Sequence, residues 1–125
     1  MELLRTYFWD TYALYGAIDG RLSYSNYKKD VVIMTTKMNL MELHYILLSK
    51  FGKEIADHYY SCFSEFAIDI DDELIKKANG FRLAFKNRKF SYIDCLGYIM
   101  AKLRGAKFLT GDSQFKDLEN VEFVR

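Results

Sequence analysis

Hydrophobic positions along the chain fall into short β-branched or aromatic runs and longer segments with helical spacing. The short runs predict strands at Leu3–Trp9, Val31–Thr35, Phe66–Ile70, Ala106–Thr110 and Val121–Val124. The helical spacing predicts helices at Thr11–Ile18, Asn39–Phe51, Lys53–Ser64, Asp72 to about Asn87, and Tyr92–Arg104. The polar segment from Arg21 to Asp30 is typical of a loop or brief helix, and one helical turn is expected after Asp112.

The alternation of strands and helices predicts the α/β fold class. A three-layer α/β/α arrangement follows, in which helices cover both faces of a central, mostly parallel sheet of about five strands. At 125 residues the chain has the length of a single domain, and no internal repeat or linker divides it.

The charge and cysteine content limits the classes of partner and compartment. A net charge of +1 supplies no overall attraction for nucleic acid, so any such binding requires a local basic surface. Two cysteines cannot build a disulfide framework, which favours a reducing, cytoplasmic setting. No signal peptide is expected after Met1, and no apolar run reaches the roughly 20 residues of a membrane span.

Four acidic residues recur where strands end or helices begin. Asp10 follows the first predicted strand, and Asp112 follows the strand that ends at Thr110. Glu42 and Asp94 each fall in the first turn of a predicted helix. Strand carboxyl ends and helix amino ends share one edge of a parallel sheet. We therefore expect the four carboxylates to lie close together.

Each acid taken alone also has a structural explanation as a helix cap. Asn39 with Glu42 and Ser91 with Asp94 are spaced as capping boxes, in which the acid accepts a hydrogen bond from a backbone N–H. The two acids that follow strands are placed to serve as N-caps, each worth about 1 kcal/mol.

The four acids taken together point to a cation. Several carboxylates at one edge repel one another unless positive charge lies among them. Oxygen ligands of this kind select Mg²⁺ or Mn²⁺ over zinc or copper, and such ions activate water and stabilise a phosphoryl transition state.

Four segments carry a family resemblance: FWDTYAL, NLMEL, FSYIDCLGYIMA and FLTGDSQF. In their order, and in the strand or helix that bears each, they resemble a PIN-domain ribonuclease of the small VapC toxin type. The resemblance extends over essentially the whole chain and implies a PIN-like fold.

The resemblance implies an activity, a cofactor and partners. The activity is endoribonuclease cleavage of RNA phosphodiester bonds, with Mg²⁺ or Mn²⁺ as cofactor. The metal-binding and catalytic acids are then Asp10, Glu42, Asp94 and Asp112. Thr11 and Thr110 match the family's hydroxyl positions, although roles at a helix start and a strand end explain them equally well. A homodimer and a small antitoxin protein are the implied partners, and the toxin belongs to a toxin–antitoxin pair.

Two further groups of residues have open interpretations. Lys86, Arg88 and Lys89 precede the helix that bears Asp94, and they are either RNA contacts or a solvated loop. The aromatic side chains that follow are either a partner surface or core: Tyr59, Tyr60, Phe63 and Phe66.

Two alternative functions also stay open. One is a PIN-domain RNA-processing nuclease without a cognate antitoxin. The other is a catalytically silent RNA- or protein-binding module that keeps the acids only as helix caps.

Overall fold

A four-stranded sheet forms the centre of the structure, a computed structural model that describes residues 5–125. The strands are β1 (Arg5–Trp9), β2 (Val31–Met34), β3 (Lys107–Thr110) and β4 (Val121–Phe123). Their order is β2-β1-β3-β4, and every neighbouring pair is parallel. Leu3 and Leu4, the first residues of the predicted opening strand, lie outside the described residues.

Five α-helices and two short 3-10 helices connect the strands. The α-helices are α1 (Thr11–Ile18), α2 (Lys37–Phe51), α3 (Lys53–Ser64), α4 (Asp72–Ala84) and α5 (Tyr92–Leu103). The 3-10 helices are Leu22–Tyr27, within the segment predicted as a loop or brief helix, and Ser113–Phe115, at the turn predicted after Asp112.

The sheet has four strands, so the expected fifth strand, Phe66–Ile70, is wrong. That segment makes only an isolated parallel bridge between Thr35 and Ala67. The Thr35 N–H donates to the carbonyl of Phe66, and the Ile68 N–H donates to the carbonyl of Thr35. A bridge of this length ties the connection to the edge of the sheet beyond β2 without extending the sheet.

The start of α2 also differs from the expectation. Thr36 is its N-cap, with a hydroxyl that accepts a hydrogen bond from the Asn39 N–H. The helix therefore begins at Lys37, and Glu42 lies in its second turn, so the predicted Asn39–Glu42 capping box is wrong. Helix α4 ends at Ala84 instead of near Asn87.

Side chains of the two central strands alternate between the two faces of the sheet. Phe8 and Phe108 pack in a cluster with residues of α4 and α5, and their rings are stacked with centroids 5.8 Å apart. Trp9 and Leu109 pack in a second cluster with residues of α1, α2 and α3. Helices cover both faces, which confirms the three-layer α/β/α prediction.

The aromatic residues of α3 belong to the edge of this core. Tyr59, Tyr60 and Phe63 pack against the second cluster, and each stays partly exposed. Among the described residues, 5–125, no helix is both long and apolar enough to pass through a bilayer.

Two glycines give a matched test of how closely α5 approaches the sheet. A methyl group at Gly97 of α5 would lie 2.6 Å from the ring of Phe8, whereas a methyl group at Gly80 of α4 would contact nothing within 4 Å. Gly97→Ala is expected to lower the free energy of unfolding by about 1–3 kcal/mol because the helix must move away from the sheet. Gly80→Ala should instead raise it by about 0.5–1 kcal/mol through helix propensity.

Urea denaturation of the two variants beside the wild type measures both changes. Equal effects of the two substitutions would contradict the close packing of α5 against β1.

Candidate active site

Asp10 is a buried carboxylate at the carboxyl end of β1. It is 6% exposed, and its backbone N–H donates to the Leu109 carbonyl, which continues the pairing of β1 with β3 by one residue. Its side chain is the N-cap of α1, since Oδ1 accepts a hydrogen bond from the Ala13 N–H at 2.8 Å. The predicted cap is therefore present, and it fixes the carboxylate at the edge of the sheet.

The hydroxyl of Thr110 connects two of the predicted acids. It donates to Oδ2 of Asp10 and accepts a hydrogen bond from the Asp112 N–H at 3.0 Å. Thr110 is fully buried, so its hydroxyl is shielded from water and bonds only within the protein. Asp112 in turn caps the short helix that follows, with Oδ1 accepting from the Gln114 N–H at 3.0 Å.

Asp94 lies in the first turn of α5, where Ser91 and Asp94 form the predicted capping box. The Ser91 N–H donates to Oδ2 of Asp94, and the Asp94 N–H donates to Oγ of Ser91, both at 3.0 Å. The carboxylate is partly buried and lines the same pocket as Asp10. The Asp94 side chain thus caps α5 and also lines the pocket.

Glu42 approaches the pocket from a different position than predicted. It projects from the second turn of α2, and within residues 5–125 its carboxylate makes no hydrogen bond or ion pair. Unlike the other three acids, its side chain is therefore not tied to the backbone of the described chain.

A buried polar network joins α2 to α1 behind Glu42. Asn39 donates from Nδ2 to the hydroxyl of Thr11 at 3.2 Å, and its Oδ1 accepts from the hydroxyl of Thr36 at 2.6 Å. Thr11 was predicted as a supporting residue from its place beside Asp10. Sequence reasoning missed the part played by Asn39, which was expected to be a helix cap, because Thr36 and Asn39 are both suitable cap residues and no sequence signal separates them.

All four predicted acids line one pocket of about 420 Å³, together with Thr11. They come from the ends of β1 and β3, the second turn of α2 and the first turn of α5, which are separated by up to about a hundred positions in sequence. Thr110 lies directly beneath, since its hydroxyl binds Asp10.

Burial and mutual repulsion make the charged forms of these acids costly. Burial raises the pKa of Asp10 to about 7, and the negative charges of Asp94 and Asp112 add to this rise against the lowering effect of the Thr110 and Ala13 hydrogen bonds. Burial also raises the pKa of Asp94, with smaller upward contributions from Asp112 and Glu42. A positive charge in the pocket would reverse both shifts.

The donor set fits a hard divalent cation. It offers carboxylate oxygens and no sulfur or nitrogen ligand, as Mg²⁺ and Mn²⁺ prefer. Within residues 5–125, no three His, Cys, Asp or Glu side chains are already close enough to form a ligand group. Of the four acids, Glu42 has the side chain whose position is least fixed by hydrogen bonds within these residues.

A basic and aromatic wall, which sequence reasoning missed, lines the rest of this pocket. It consists of Tyr12, Tyr15, Arg21, Lys50 and Arg125. The hydrogen bond from Arg21 lowers the pKa of the Tyr12 phenol, and the Arg125 guanidinium acts in the same direction. The positions of Tyr12 and Tyr15 on the pocket side of α1 could be inferred because both follow Asp10 closely in sequence. The positions of the basic residues in the pocket could not be inferred in this way.

The basic residues chosen from sequence lie elsewhere. Lys86 and Arg88 line a separate pocket beside α4, and neither they nor Lys89 line the pocket of the acids. Arg88 is paired with Asp117, through contacts of 2.6 and 3.1 Å, and also donates to the Gln114 carbonyl. Their contact with RNA stays a prediction, and the bonds of Arg88 favour a structural role for that residue.

A family model described as PIN domain matches residues 7–121. No curated protein matches the chain significantly in sequence.

Several solved structures share the fold. VapBC2 from Rickettsia felis, bound to a DNA fragment from its promoter, is 23% identical with a TM-score of 0.76, covering 96% of this chain and 99% of that one. Mycobacterium tuberculosis VapC20, a sarcin-ricin loop cleaving toxin, is 18% identical with a TM-score of 0.75, covering 95% and 99%. DNA-bound VapBC from Salmonella typhimurium is 17% identical with a TM-score of 0.72, covering 95% and 96%.

The raised pKa of Asp10 predicts how stability changes with pH. Between pH about 4 and about 7 the folded state keeps a proton on this carboxyl that the unfolded state has lost, so the contribution of Asp10 to stability falls as pH rises. In EDTA at pH 8, Asp10→Asn is expected to be more stable than the wild type by about 1–3 kcal/mol. This difference should shrink toward zero near pH 4.

Urea denaturation at pH 4.5, 6 and 8 measures the difference. Asp71→Asn, at the exposed N-cap of α4, serves as control because it removes the same charge outside the pocket. A difference for Asp10→Asn that stays constant with pH would contradict the assignment.

Proposed function

This chain belongs to the PIN domain family, and from that membership we propose that it is a divalent-metal-dependent endoribonuclease. The observation that carries the proposal is the meeting of four carboxylates from four separate elements in one pocket. Caps alone explain Asp10, Asp94 and Asp112, each of which holds a backbone N–H. Helix capping does not explain Glu42, because this side chain caps no helix in the described chain and still lines the same pocket.

The proposed roles divide the four acids by how firmly each is held. Asp10, Asp94 and Asp112 are fixed by hydrogen bonds and provide a rigid side of the site. Glu42 provides an adjustable side that closes on the cation. Thr110 sets the directions of Asp10 and Asp112 from beneath, and Thr11 fixes the position of Asn39 at the base of α2.

A bound Mg²⁺ or Mn²⁺ supplies activation of water and stabilisation of charge on the phosphoryl group. The contribution of this chain is to hold the carboxylates ionised and correctly spaced, and to take up the proton released from the attacking water. No histidine lines the pocket in the described part of the chain, so the acids carry the proton transfer.

We further propose that the nuclease is the toxin of a VapBC-type toxin–antitoxin pair, with a small antitoxin protein and a second copy of itself as partners. The support is the likeness of fold to toxins found in such complexes, at nearly full length on both sides. The cytoplasm is the matching compartment. An RNA-processing nuclease without an antitoxin is the alternative with the same chemistry.

Substitution of two of the four acids, Asp94 and Asp112, tests the activity. Asp94→Asn and Asp112→Asn are each expected to lower the rate of Mn²⁺-dependent RNA cleavage at least about 100-fold, because each removes a charged oxygen from the cation site. Cleavage of a labelled single-stranded RNA, followed on denaturing gels, measures the rate.

Asp71→Asn is the matched control for this loss. Its carboxylate caps α4 through the Leu74 N–H at 2.8 Å, as the acids of the site cap their helices, but it does not line their pocket. It should cleave RNA at the wild-type rate. Circular dichroism verifies that each variant is folded. Full activity in the two pocket variants would exclude the proposed site, whereas absence of cleavage by the folded wild type would favour a catalytically silent binding module.

Partner capture distinguishes a toxin from a processing nuclease. When the chain is tagged and expressed together with the genes that flank its own, a toxin is expected to purify with one small protein, and RNA cleavage by the complex should be at least about tenfold slower than by the free chain. Mass spectrometry identifies the partner. Purification of the chain alone, fully active, would favour the processing nuclease.

A further inference from the structure

Arg21 lies at the margin of the acidic pocket and is held there by Tyr12. Its Nη1 donates to the Tyr12 hydroxyl at 2.8 Å, and its guanidinium also lies 5.2 Å from the centre of the Tyr12 ring. The backbone of Arg21 is fixed as well, since its N–H donates to the Gly16 carbonyl and its own carbonyl accepts from the Tyr24 N–H. The side chain thus has a defined position beside the four acids.

Tyr12 is itself wedged in place by the turn after β3. A methyl group at Gly111 would lie 2.1 Å from the Tyr12 ring and 2.7 Å from the Val124 carbonyl, so only glycine lets the ring and the turn approach this closely. This turn also carries Asp112. The turn at Gly111 and Asp112 therefore both supports the tyrosine that holds Arg21 and carries one of the acids.

The guanidinium of Arg21 keeps most of its hydrogen-bonding capacity for a ligand. Of its five N–H donors, one is used by Tyr12. The carboxylate of Asp19 lies 3.8 Å from Nε, beyond hydrogen-bond distance, and the Arg21 side chain is 38% exposed. Arg88 contrasts with it, because Asp117 and the Gln114 carbonyl already occupy its donors.

Lys50 repeats the arrangement with a second tyrosine of α1. Its ammonium donates to the Tyr15 hydroxyl at 3.2 Å and lies 4.9 Å from the centre of the Tyr15 ring. Tyr12 and Tyr15 are three residues apart on one helix face, so each presents one cation to the pocket. The two pairs form a cationic wall beside the acids.

The cationic wall offsets the repulsion between the four acids and a negatively charged RNA strand. RNA carries one negative charge per nucleotide, and four carboxylates repel it even when a divalent cation neutralises part of their charge. The chain as a whole, with a net charge of +1, supplies no compensating field. Binding must therefore come from cations close to the acids, and arginine binds phosphate most strongly because its N–H groups form two parallel hydrogen bonds.

We propose that Arg21, held by Tyr12, and Lys50, held by Tyr15, form a subsite that binds the RNA phosphate next to the one that is cleaved. The inference rests on the proposed RNA cleavage at the four acids. It makes the two residues positioning groups that hold the strand across the pocket. The substrate class is single-stranded RNA with at least one phosphodiester beyond the cleaved bond.

Binding without cleavage tests the subsite independently of catalysis. Fluorescence anisotropy of a labelled single-stranded RNA in EDTA gives Kd for the wild type, Arg21→Gln and Arg21→Lys. Arg21→Gln is expected to raise Kd about tenfold through loss of a charge-assisted contact. The Kd of Arg21→Lys should lie between those of the wild type and Arg21→Gln, because lysine keeps the positive charge but cannot form the paired hydrogen bonds. The slope of log Kd against log salt should fall by about 0.7 in Arg21→Gln.

Arg104→Gln is the matched control. Arg104 is exposed at the carboxyl end of α5, at the edge of the sheet away from the acids, so the same change of charge there should leave Kd and the salt slope unaltered. An unchanged Kd in Arg21→Gln, or equal losses in Arg21→Gln and Arg104→Gln, would overturn the proposal. Lys50→Gln gives a second test if Arg21→Gln fails to fold, with a rise in Kd of at least about threefold expected and no rise counting against the subsite.

Cleavage kinetics with Mn²⁺ separate this proposal from the proposed function. With an RNA oligonucleotide, Arg21→Gln should raise KM about tenfold and leave kcat within about twofold. With bis(p-nitrophenyl) phosphate, which has one phosphate and no neighbour, kcat/KM should equal that of the wild type. A loss of kcat with both substrates would overturn the subsite. Absence of cleavage by the wild type would instead refute the nuclease, while the anisotropy result would still decide whether Arg21 binds RNA.

Discussion

The hydrogen bond between the Thr110 hydroxyl and the Asp10 carboxylate fixes the ends of two neighbouring strands relative to each other. It lies just beyond the last backbone pairing of β1 with β3, where the chain leaves the sheet in two directions, into α1 and toward Asp112. Because the same hydroxyl accepts from the Asp112 N–H, one buried oxygen determines the positions of two acids from distant parts of the sequence. The remaining features of the pocket are arranged around this point.

Burial of the Asp10 carboxylate destabilises its charged form, and hydrogen bonds from the surrounding structure limit this effect. Two hydrogen bonds stabilise the charged form of Asp10, while burial and two neighbouring acids oppose it. Stability alone gives no reason to gather acids in this way, since an asparagine would fill most of the same bonds. Binding of a cation gives one, because the attraction of the cation offsets the repulsion that the empty arrangement must bear.

The cationic wall beside the acids carries positive charge that is oriented mainly by aromatic side chains. Arg21 and Lys50 contact tyrosine hydroxyls and rings. Asp19 lies 3.8 Å from Arg21 Nε and takes no hydrogen bond from it, whereas Asp117 occupies the donors of Arg88 at 2.6 and 3.1 Å. The pocket therefore presents negative and positive charge side by side. This arrangement suits a ligand with two neighbouring phosphates, one bound through a metal ion and the other bound directly by a cationic side chain.

Much of the fold followed from sequence because its elements are strongly patterned and parallel sheets bring strand ends together. The three-layer arrangement and the capping roles of Asp10 and Asp94 were predicted in this way, and the PIN domain family was predicted from the resemblance of four segments. The start of α2 was misjudged because Thr36 and Asn39 are both good caps and only burial of Asn39 decides between them. The strand at Phe66–Ile70 was also misjudged, since its apolar pattern is that of a strand while its position allows one bridge only.

The limits of sequence reasoning are clearest for the cationic wall. Charge density along the chain favours Lys86, Arg88 and Lys89, yet the residues that line the pocket are isolated in sequence at Arg21 and Lys50. Their closeness depends on the packing of α1 against α2 and on the turn at Gly111, neither of which leaves a local pattern. A sequence pattern therefore identified the acids, which lie at strand ends and in early helix turns, and missed the cations, whose positions depend only on tertiary contacts.

The separation of 100 residues between Asp10 and Thr110 has a further consequence for the order in which the molecule assembles. β1 is an inner strand, and one of its two neighbours, β3, comes from the other end of the described chain. During synthesis, β1 can pair with β2 early, but the floor of the pocket cannot form until residues 107–112 have left the ribosome. The nascent chain thus remains without its assembled site until the segment that contains Thr110 and Asp112 has been made.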